Sequence, residues 1–468
     1  MLINKIMNKR TKLILTTMTL AFSIFTFTGC SNSDKGKSSA TSDIKTIESE
    51  EVKENIEKSD WIIVDTREND AFNGWKLDGI SRGGHIKGAT DFSAAWLKID
   101  NKDKDITLDK ALETKGISKD KNVILYDANG KDATEVANYL SNKGYSNLYT
   151  YDIKQWAQDS SNPMETYENY QMLVPASWVK DLIDGKHPET YDGKDYKVFE
   201  VSWGKEQDSP SYLKDGHIPG SVHINTDDIE KGPLWNRVSD EELEKFAVAN
   251  GITKDTTTVL YGDDSMAAFR VVTILKYMGV EDVRVLNGGT NKWVKSGYEL
   301  EKTSNKPVPV KNFGAKVPAN KNYIVDLDMA KDIINDKKNS KLVDIRSWEE
   351  FIGETSGYDY IKTKGRPVGC VWGHAGTDAK SLQDYRNIDN TMRNKDEIIN
   401  MWNEWGITPN QRLAFYCGTG WRAAEVLYYA DVMGVKNIAL YDGGWNEWSG
   451  NTGNEPNPIE TGDPVKVK

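Results

Sequence analysis

Leu413-Ala414-Phe415-Tyr416-Cys417-Gly418-Thr419-Gly420-Trp421-Arg422 runs from an apolar stretch through a cysteine and two glycines into a segment that reads as a helix from about Ala423 to Met433. The short apolar run, bounded by glycines, predicts a buried strand from Leu413 to Tyr416. A strand that ends in Cys and turns directly into a helix aims backbone N–H groups and the positive end of the helix dipole at the sulfur, which favours thiolate over thiol. Gly418 and Gly420 are expected to take positive φ values so that successive amides converge on one point. A cysteine at a strand end is ordinarily a packing residue. Here the Gly-x-Gly spacing, the arginine and the helix start point to a nucleophile in an anion cradle.

The strand–loop–helix unit recurs, and the chain of 468 residues repeats itself three times. Each copy has an apolar strand with a charged end: Trp61 to Arg67, Tyr196 to Ser202 and Lys341 to Arg346. A glycine-bracketed turn follows: Gly84-His85-Ile86-Lys87-Gly88-Ala89, Gly216-His217-Ile218-Pro219-Gly220-Ser221 and Gly365-Arg366-Pro367-Val368-Gly369-Cys370. Second strands end at Asp127, Gly262 and Cys417. The intervals Asp65–Asp127 and Glu200–Gly262 are both 62 residues, whereas Asp344–Cys417 is 73, so the third copy carries an insertion. Every copy then has a helix ending in a glycine turn at Gly144, Gly279 or Gly434, and a further short strand. The last two copies close with Asn287-Gly288-Gly289 and Asp442-Gly443-Gly444-Trp445. Short strands alternating with helices predict an α/β class of three tandem, small, doubly wound parallel-sheet domains, spanning 44–168, 169–303 and 318–455.

Before them, Lys5, Lys9, Arg10 and Lys12 precede an uncharged run from Leu13 to Thr28 that ends at Gly29-Cys30. This reads as a secretory signal over residues 1–30. A small residue before Cys resembles the bacterial lipoprotein cleavage box, which implies lipidation of Cys30 and attachment to the outer face of the cell membrane; an uncleaved anchor is the alternative. Residues 31–43, rich in Ser, Lys, Gly and Asp, read as a flexible tether. Losing residues 1–29 takes the formal charge from −11 to −15, which argues against nucleic acid as a partner. With Cys30 acylated, only Cys370 and Cys417 are left as thiols, and no disulfide framework exists beyond a conceivable Cys370–Cys417 bridge.

The strand end V-D-x-R, the turn G-H-I-x-G-A and the loop C-x-x-G-x-R followed by D-G-G-W together resemble the rhodanese (thiosulfate sulfurtransferase) family from about residue 44 to 455. The resemblance implies that Cys417 attacks the outer sulfur of a donor, holds it as a persulfide and passes it to a thiophilic acceptor such as cyanide or a thiol, with no cofactor and no metal. Gly418, Thr419, Gly420, Trp421 and Arg422 are then expected to bind the substrate: backbone amides as the cradle, Thr419 donating through its hydroxyl, Trp421 walling the pocket, and Arg422 presenting a fork to sulfonate or carboxylate. A salt bridge from Arg422 to Glu425 is the competing assignment. Copies one and two have Asp127 and Gly262 in place of the cysteine and are expected to be inactive structural partners, with a separate binding role as the alternative.

Arg366, His85 and His217 are read as structural members of their turns. Cys370 is read likewise, the alternative being a resolving thiol. Asp344 and Arg346 are expected to form a buried ion pair. The insertion, with His374, Lys380, Tyr385, Arg386 and Arg393, lies beyond a strand's carboxyl end and is expected to contribute to the donor site. Thiosulfate is the donor favoured, and mercaptopyruvate, whose enzymes resemble C-G-[ST]-G-V-T, is the competitor. A non-catalytic carrier of sulfane sulfur is the alternative from another class. A cysteine phosphatase is disfavoured, because that loop has five residues between Cys and Arg and this one has four.

Overall fold

The computed structural model describes residues 44–100, 102–450 and 455–464. The signal segment, the tether and Cys30 lie outside the described residues. Among the described residues no helix is long and apolar enough to cross a membrane.

Three parallel five-stranded sheets follow one another. The first contains β1 (Lys45–Thr46), β2 (Trp61–Asp65), β3 (Thr90–Asp91), β4 (Asn122–Asp127) and β5 (Leu148–Asp152). The second contains β6 (Leu173–Val174), β7 (Tyr196–Ser202), β8 (Val222–Asn225), β9 (Thr257–Tyr261) and β10 (Val283–Leu286). The third contains β11 (Ile324–Val325), β12 (Ser340–Asp344), β13 (Val371–Trp372), β14 (Arg412–Tyr416) and β15 (Ile438–Tyr441). Each sheet has the same spatial order: first, fifth, fourth, second, third. The central strands β4, β9 and β14 are buried on both faces, which is why they read as continuous apolar runs without alternation. Each leads into a helix: α1 (Asp132–Asn142), α2 (Ser265–Met278) or α3 (Trp421–Val432).

The repeated motifs have a common structural reason. Asp65, Glu200 and Asp344 stand opposite Tyr126, Tyr261 and Tyr416 of the central strands. Arg67 and Arg346 each fold back on their acid as a buried fork and also donate to a glycine carbonyl, Gly84 at 2.7 Å and Gly365 at 2.9 Å, which locks the glycine turn against the strand end. In the second domain Ser202 stands where the other two have this arginine. His223 Nδ1 meets Glu200 at 2.7 Å, and Ser211 donates to its other oxygen at 2.8 Å. The Asp344–Arg346 pair expected from the sequence is therefore present, and it is structural.

The second and third domains share one core. α2 lies against α3, with the Phe269 ring 5.3 Å from both Tyr428 and Tyr429. The insertion in the third domain, residues 373–394, binds the chain together. Asn69 donates to the Met392 carbonyl and Met392 N–H donates to Asn287, so all three domains meet there. Just after it, Lys115 of the first domain is buried between Asp91 at 2.7 Å and Glu397 of the third at 2.6 Å.

Candidate active site

Cys417 follows β14 directly and is 1% exposed. The Gly420 amide donates to its sulfur at 3.2 Å, a contact that requires the chain to double back within three residues. Gly420 does so with φ +103° and serves as the N-cap of α3, so the helix begins at Trp421, two residues earlier than the sequence suggested. The Asp-Gly-Gly-Trp segment closes the loop from the other side. Trp445 N–H donates to the Cys417 carbonyl at 2.8 Å and Asn446 N–H to the Gly418 carbonyl at 3.0 Å. A Cβ on Gly444 would lie 2.7 Å from the Cys417 carbonyl oxygen, which explains why that residue is glycine.

Gly418 is glycine for a different reason from the one expected. Its φ is not positive; instead the Tyr358 ring lies over it, 2.1 Å from where a Cβ would stand. Burial raises the Tyr358 hydroxyl well above the ordinary phenol range, and the nearby Arg422 charge only partly counters this. A neutral phenol thus roofs the cysteine loop.

Arg422 corrects a sequence expectation. It is fully buried, and its fork is already taken by Glu350, at 2.8 and 2.9 Å. The same guanidinium donates to the Asp378 carbonyl and the Tyr358 hydroxyl, both at 3.2 Å. Burial alone would raise the Glu350 carboxyl; the Arg422 fork outweighs it and holds the group below its usual range. Glu425, the helical neighbour considered as the partner, pairs with Arg386 at 2.6 Å. Arg422 therefore ties the loop to the helix Trp348–Ile352, the insertion and Tyr358, and its charge is matched before any ligand arrives.

A pocket of about 450 Å³ opens beside the loop. Thr419, Trp421 and Arg422 form one side, Tyr358, Tyr360, Ala379 and Lys380 another. The facing wall comes from the second domain: Trp203, Glu230, Trp235, Asp264 and Met266. Asp264 is the N-cap of α2 and Met266 lies in its first turn, at the counterpart of the cysteine loop and the start of α3. That segment carries no cysteine and forms the opposite bank of the pocket beside the third domain's loop. Glu230, in the hairpin Glu230–Lys231/Asn236–Arg237, accepts the Trp421 indole N–H at 2.7 Å. Sequence reasoning missed Glu350, Tyr358, Tyr360 and all five residues of this wall.

Other predicted residues stand apart. Cys370 contacts the Tyr416 hydroxyl at 3.3 Å in the apolar cluster on the sheet face that holds Ala414 and Tyr416, whereas Cys417 packs with Leu413 and Phe415 on the other face. Burial and the Asp344 charge push its thiol well up. Both cysteines are free, so no bridge joins them. Of the insertion, Lys380 reaches the pocket, and Asp378 reaches Arg422 through its carbonyl. Tyr385 is held by the Trp402 indole, Arg393 by Glu397, Arg386 by Glu425, and His374 stacks on Trp372, so these four support the fold. His85 and His217 each bond a backbone carbonyl at 2.8 Å through Nδ1 and are structural, as is Arg366, which donates to two carbonyls. In the first domain Asp127 fills its own cradle: its two oxygens accept from Gly130 N–H at 2.9 Å and Ala133 N–H at 2.8 Å.

Three repeats of one doubly wound domain, a single cysteine loop in the last, and an ion-paired arginine beneath it define a class before any comparison. The rhodanese-like domain model matches residues 48–159, 175–296 and 326–451, and the chain belongs to the rhodanese-like family and is a sulfurtransferase. Among individual proteins it is 40% identical to the thiosulfate sulfurtransferase YnjE of Escherichia coli K12, over 86% of this chain and 89% of that one. It is also similar to the anaerobic ergothioneine biosynthesis enzyme of Chlorobium limicola, solved with its natural substrate trimethyl histidine. There the identity is 37% and the TM-score 0.84, covering 90% of this chain and 100% of that one. A tyrosine-to-alanine variant of EanB, solved with ergothioneine covalently linked to a persulfide cysteine, matches at 37% identity and TM-score 0.85, covering 90% and 100%.

Proposed function

We propose that Cys417 takes up sulfane sulfur as a persulfide and delivers it to a small acceptor seated between the second and third domains. The observation that carries this reading is the loop itself. Cys417 Sγ accepts the Gly420 amide, and Thr419, Trp421 and Arg422 of the same loop line a pocket large enough for a small organic molecule. The Cys417 thiolate attacks the outer sulfur of thiosulfate, forming a Cys–S–S bond while the donor's S–S bond breaks and sulfite leaves with the electron pair. The acceptor then attacks the outer persulfide sulfur and the Cys417 thiolate departs. Kinship with YnjE supports thiosulfate as donor. Because Glu350 neutralises Arg422, the donor's charge falls to Lys380, which lines the pocket and has no acidic side chain in ion-pair contact among the described residues. Mercaptopyruvate, with one negative charge, competes for the same lysine.

A second reading of the acceptor is favoured by the pocket wall. Faces of Trp203, Trp235, Tyr358, Tyr360 and Trp421 with the carboxylate of Asp264 suit a cationic organic molecule better than cyanide. Trimethyl histidine, the substrate of the Chlorobium limicola enzyme, has that chemistry.

Thiocyanate formation with thiosulfate or mercaptopyruvate, run beside thione formation from trimethyl histidine with the same donors, tests both readings. Thiocyanate alone supports the thiosulfate reading, and thione formed at least tenfold more efficiently supports the cationic acceptor. Sulfur bound stoichiometrically and never released overturns both and makes the chain a carrier. We also propose that the body is lipid-anchored outside the cytoplasm through Cys30. Cys30→Ala should abolish acylation and membrane association, and unchanged association with normal processing would refute that proposal.

A further inference from the structure

We infer that Arg270, a residue of the second domain, is a positioning residue for the Cys417 loop and sets the charge around its sulfur. The proposal rests on the Cys417 reading only for the sulfur-uptake arm of its test. Arg270 lies midway along α2 and is fully buried. Its Nε donates to Glu230 at 2.9 Å and its Nη2 lies 2.7 Å from Asp442. Nη1 has no hydrogen-bond partner among the described residues, and it points at Gly420: a Cβ there would be 3.0 Å from it. Gly420 is the residue whose amide meets Cys417 Sγ.

The guanidinium thus sits where four parts of the site meet. Glu230 belongs to the hairpin of the second domain, and its other oxygen holds the Trp421 indole. Asp442 begins the Asp-Gly-Gly-Trp segment that closes over Cys417 and Gly418, and its second oxygen accepts the Arg237 amide at 2.9 Å. Gly420 itself is the fourth. Burying an arginine in a helix between two domains is costly unless its charge is matched, and here it is matched by two carboxylates on opposite sides of the domain boundary. Remove the cation, and Glu230 and Asp442 are left buried and uncompensated behind the cysteine loop, where they oppose formation of a thiolate.

The other groups that face the loop are Tyr358, Tyr360, Lys380, Asp264 and the Arg422–Glu350 pair. Arg422 is matched by its own carboxylate, both phenols are raised by burial, and Lys380 and Asp264 are exposed to solvent, so none of them replaces the buried Arg270.

The test uses the full chain with Arg270→Met, Arg270→Lys and Glu230→Gln. Alkylation of Cys417 by iodoacetamide is followed by site-resolved mass spectrometry from pH 6 to 10, beside sulfur uptake from thiosulfate. Arg270→Met should slow alkylation about fivefold or more at pH 7, with the deficit closing as pH rises. Arg270→Lys should recover part of the rate. Glu230→Gln removes one carboxylate and leaves the cation, so it should speed alkylation about twofold to threefold. A purely structural role moves both substitutions the same way, and that result, or an Arg270→Met deficit constant across pH, overturns the proposal. If Arg270→Met does not fold, Glu230→Gln decides: unchanged or slower alkylation overturns it. If alkylation follows the expected pattern while the wild type takes up no sulfur, the functional reading has failed and the assignment of Arg270 stands.

Discussion

Replacing Arg422 by Lys keeps the charge under the cysteine loop and removes the fork. In the structure that fork makes two parallel bonds to Glu350 and one each to the Asp378 carbonyl and the Tyr358 hydroxyl, all in a fully buried setting. A lysine ammonium keeps one short bond to Glu350 and cannot span the rest. Removing one partner of a buried pair costs about 3–5 kcal/mol. Keeping the charge recovers part of this, so the loss for Arg422→Lys is about 2–4 kcal/mol, or a fall in Tm of about 2–5 °C for a body of this size unfolding as one unit. The sign of the pH dependence follows from Glu350, whose folded carboxyl titrates below its ordinary value. Its contribution is present above the unfolded value and is lost as pH falls through the folded one. The gap between wild type and variant should therefore be full at pH 7 and shrink below about pH 4.5. Thermal unfolding followed in parallel by circular dichroism and tryptophan fluorescence measures it, with coincident transitions required before a free energy is quoted. An unchanged Tm with activity abolished would refute the reasoning, because it would mean that the fork serves the substrate and Glu350 does not depend on it.

Gly418→Ala puts a Cβ 2.1 Å from the Tyr358 ring. It should cost about 1–3 kcal/mol of stability and, by displacing the phenol, at least tenfold in transfer rate; near wild-type turnover would show that the ring is not held as described. Asp127→Ala strips the acceptor from the Gly130 and Ala133 amides, so urea unfolding should show a loss of about 2–3 kcal/mol while transfer activity is unchanged. Cys370→Ser should leave turnover intact, since that thiol sits in the cluster on the far side of the sheet; accumulation of a trapped persulfide in this variant would make it a resolving thiol.

What could be read in the chain was what repeats locally. The acid at each first strand end, the glycine turn and the central apolar strand recur in the same order, and in the first and third copies an arginine locks the strand to the turn. The cysteine loop was legible for the same reason. Its partners were not, because they arrive from far along the chain. Glu350 lies 72 residues before Arg422. Helical proximity suggested Glu425, which instead pairs with Arg386 from the insertion. Tyr358 sits in a stretch with no periodicity, and its ring gives Gly418 a steric reason that a turn argument mistook for a positive φ. Asp264 and Met266 did carry a usable signal: they stand at the helix start of the second copy, the position that follows the cysteine loop in the third, and the two helix starts face each other across the pocket.

The central claim is that sulfur passes through Cys417 and no other residue. The full chain is incubated with thiosulfate, freed of excess donor, and its intact and peptide masses recorded, with Cys417→Ser and Cys370→Ser treated identically. The account predicts the added mass of one sulfur atom on the peptide containing Cys417 in the wild type and in Cys370→Ser, none in Cys417→Ser, and its disappearance when an acceptor is supplied. Added sulfur on Cys370, or undiminished transfer by Cys417→Ser, would contradict it.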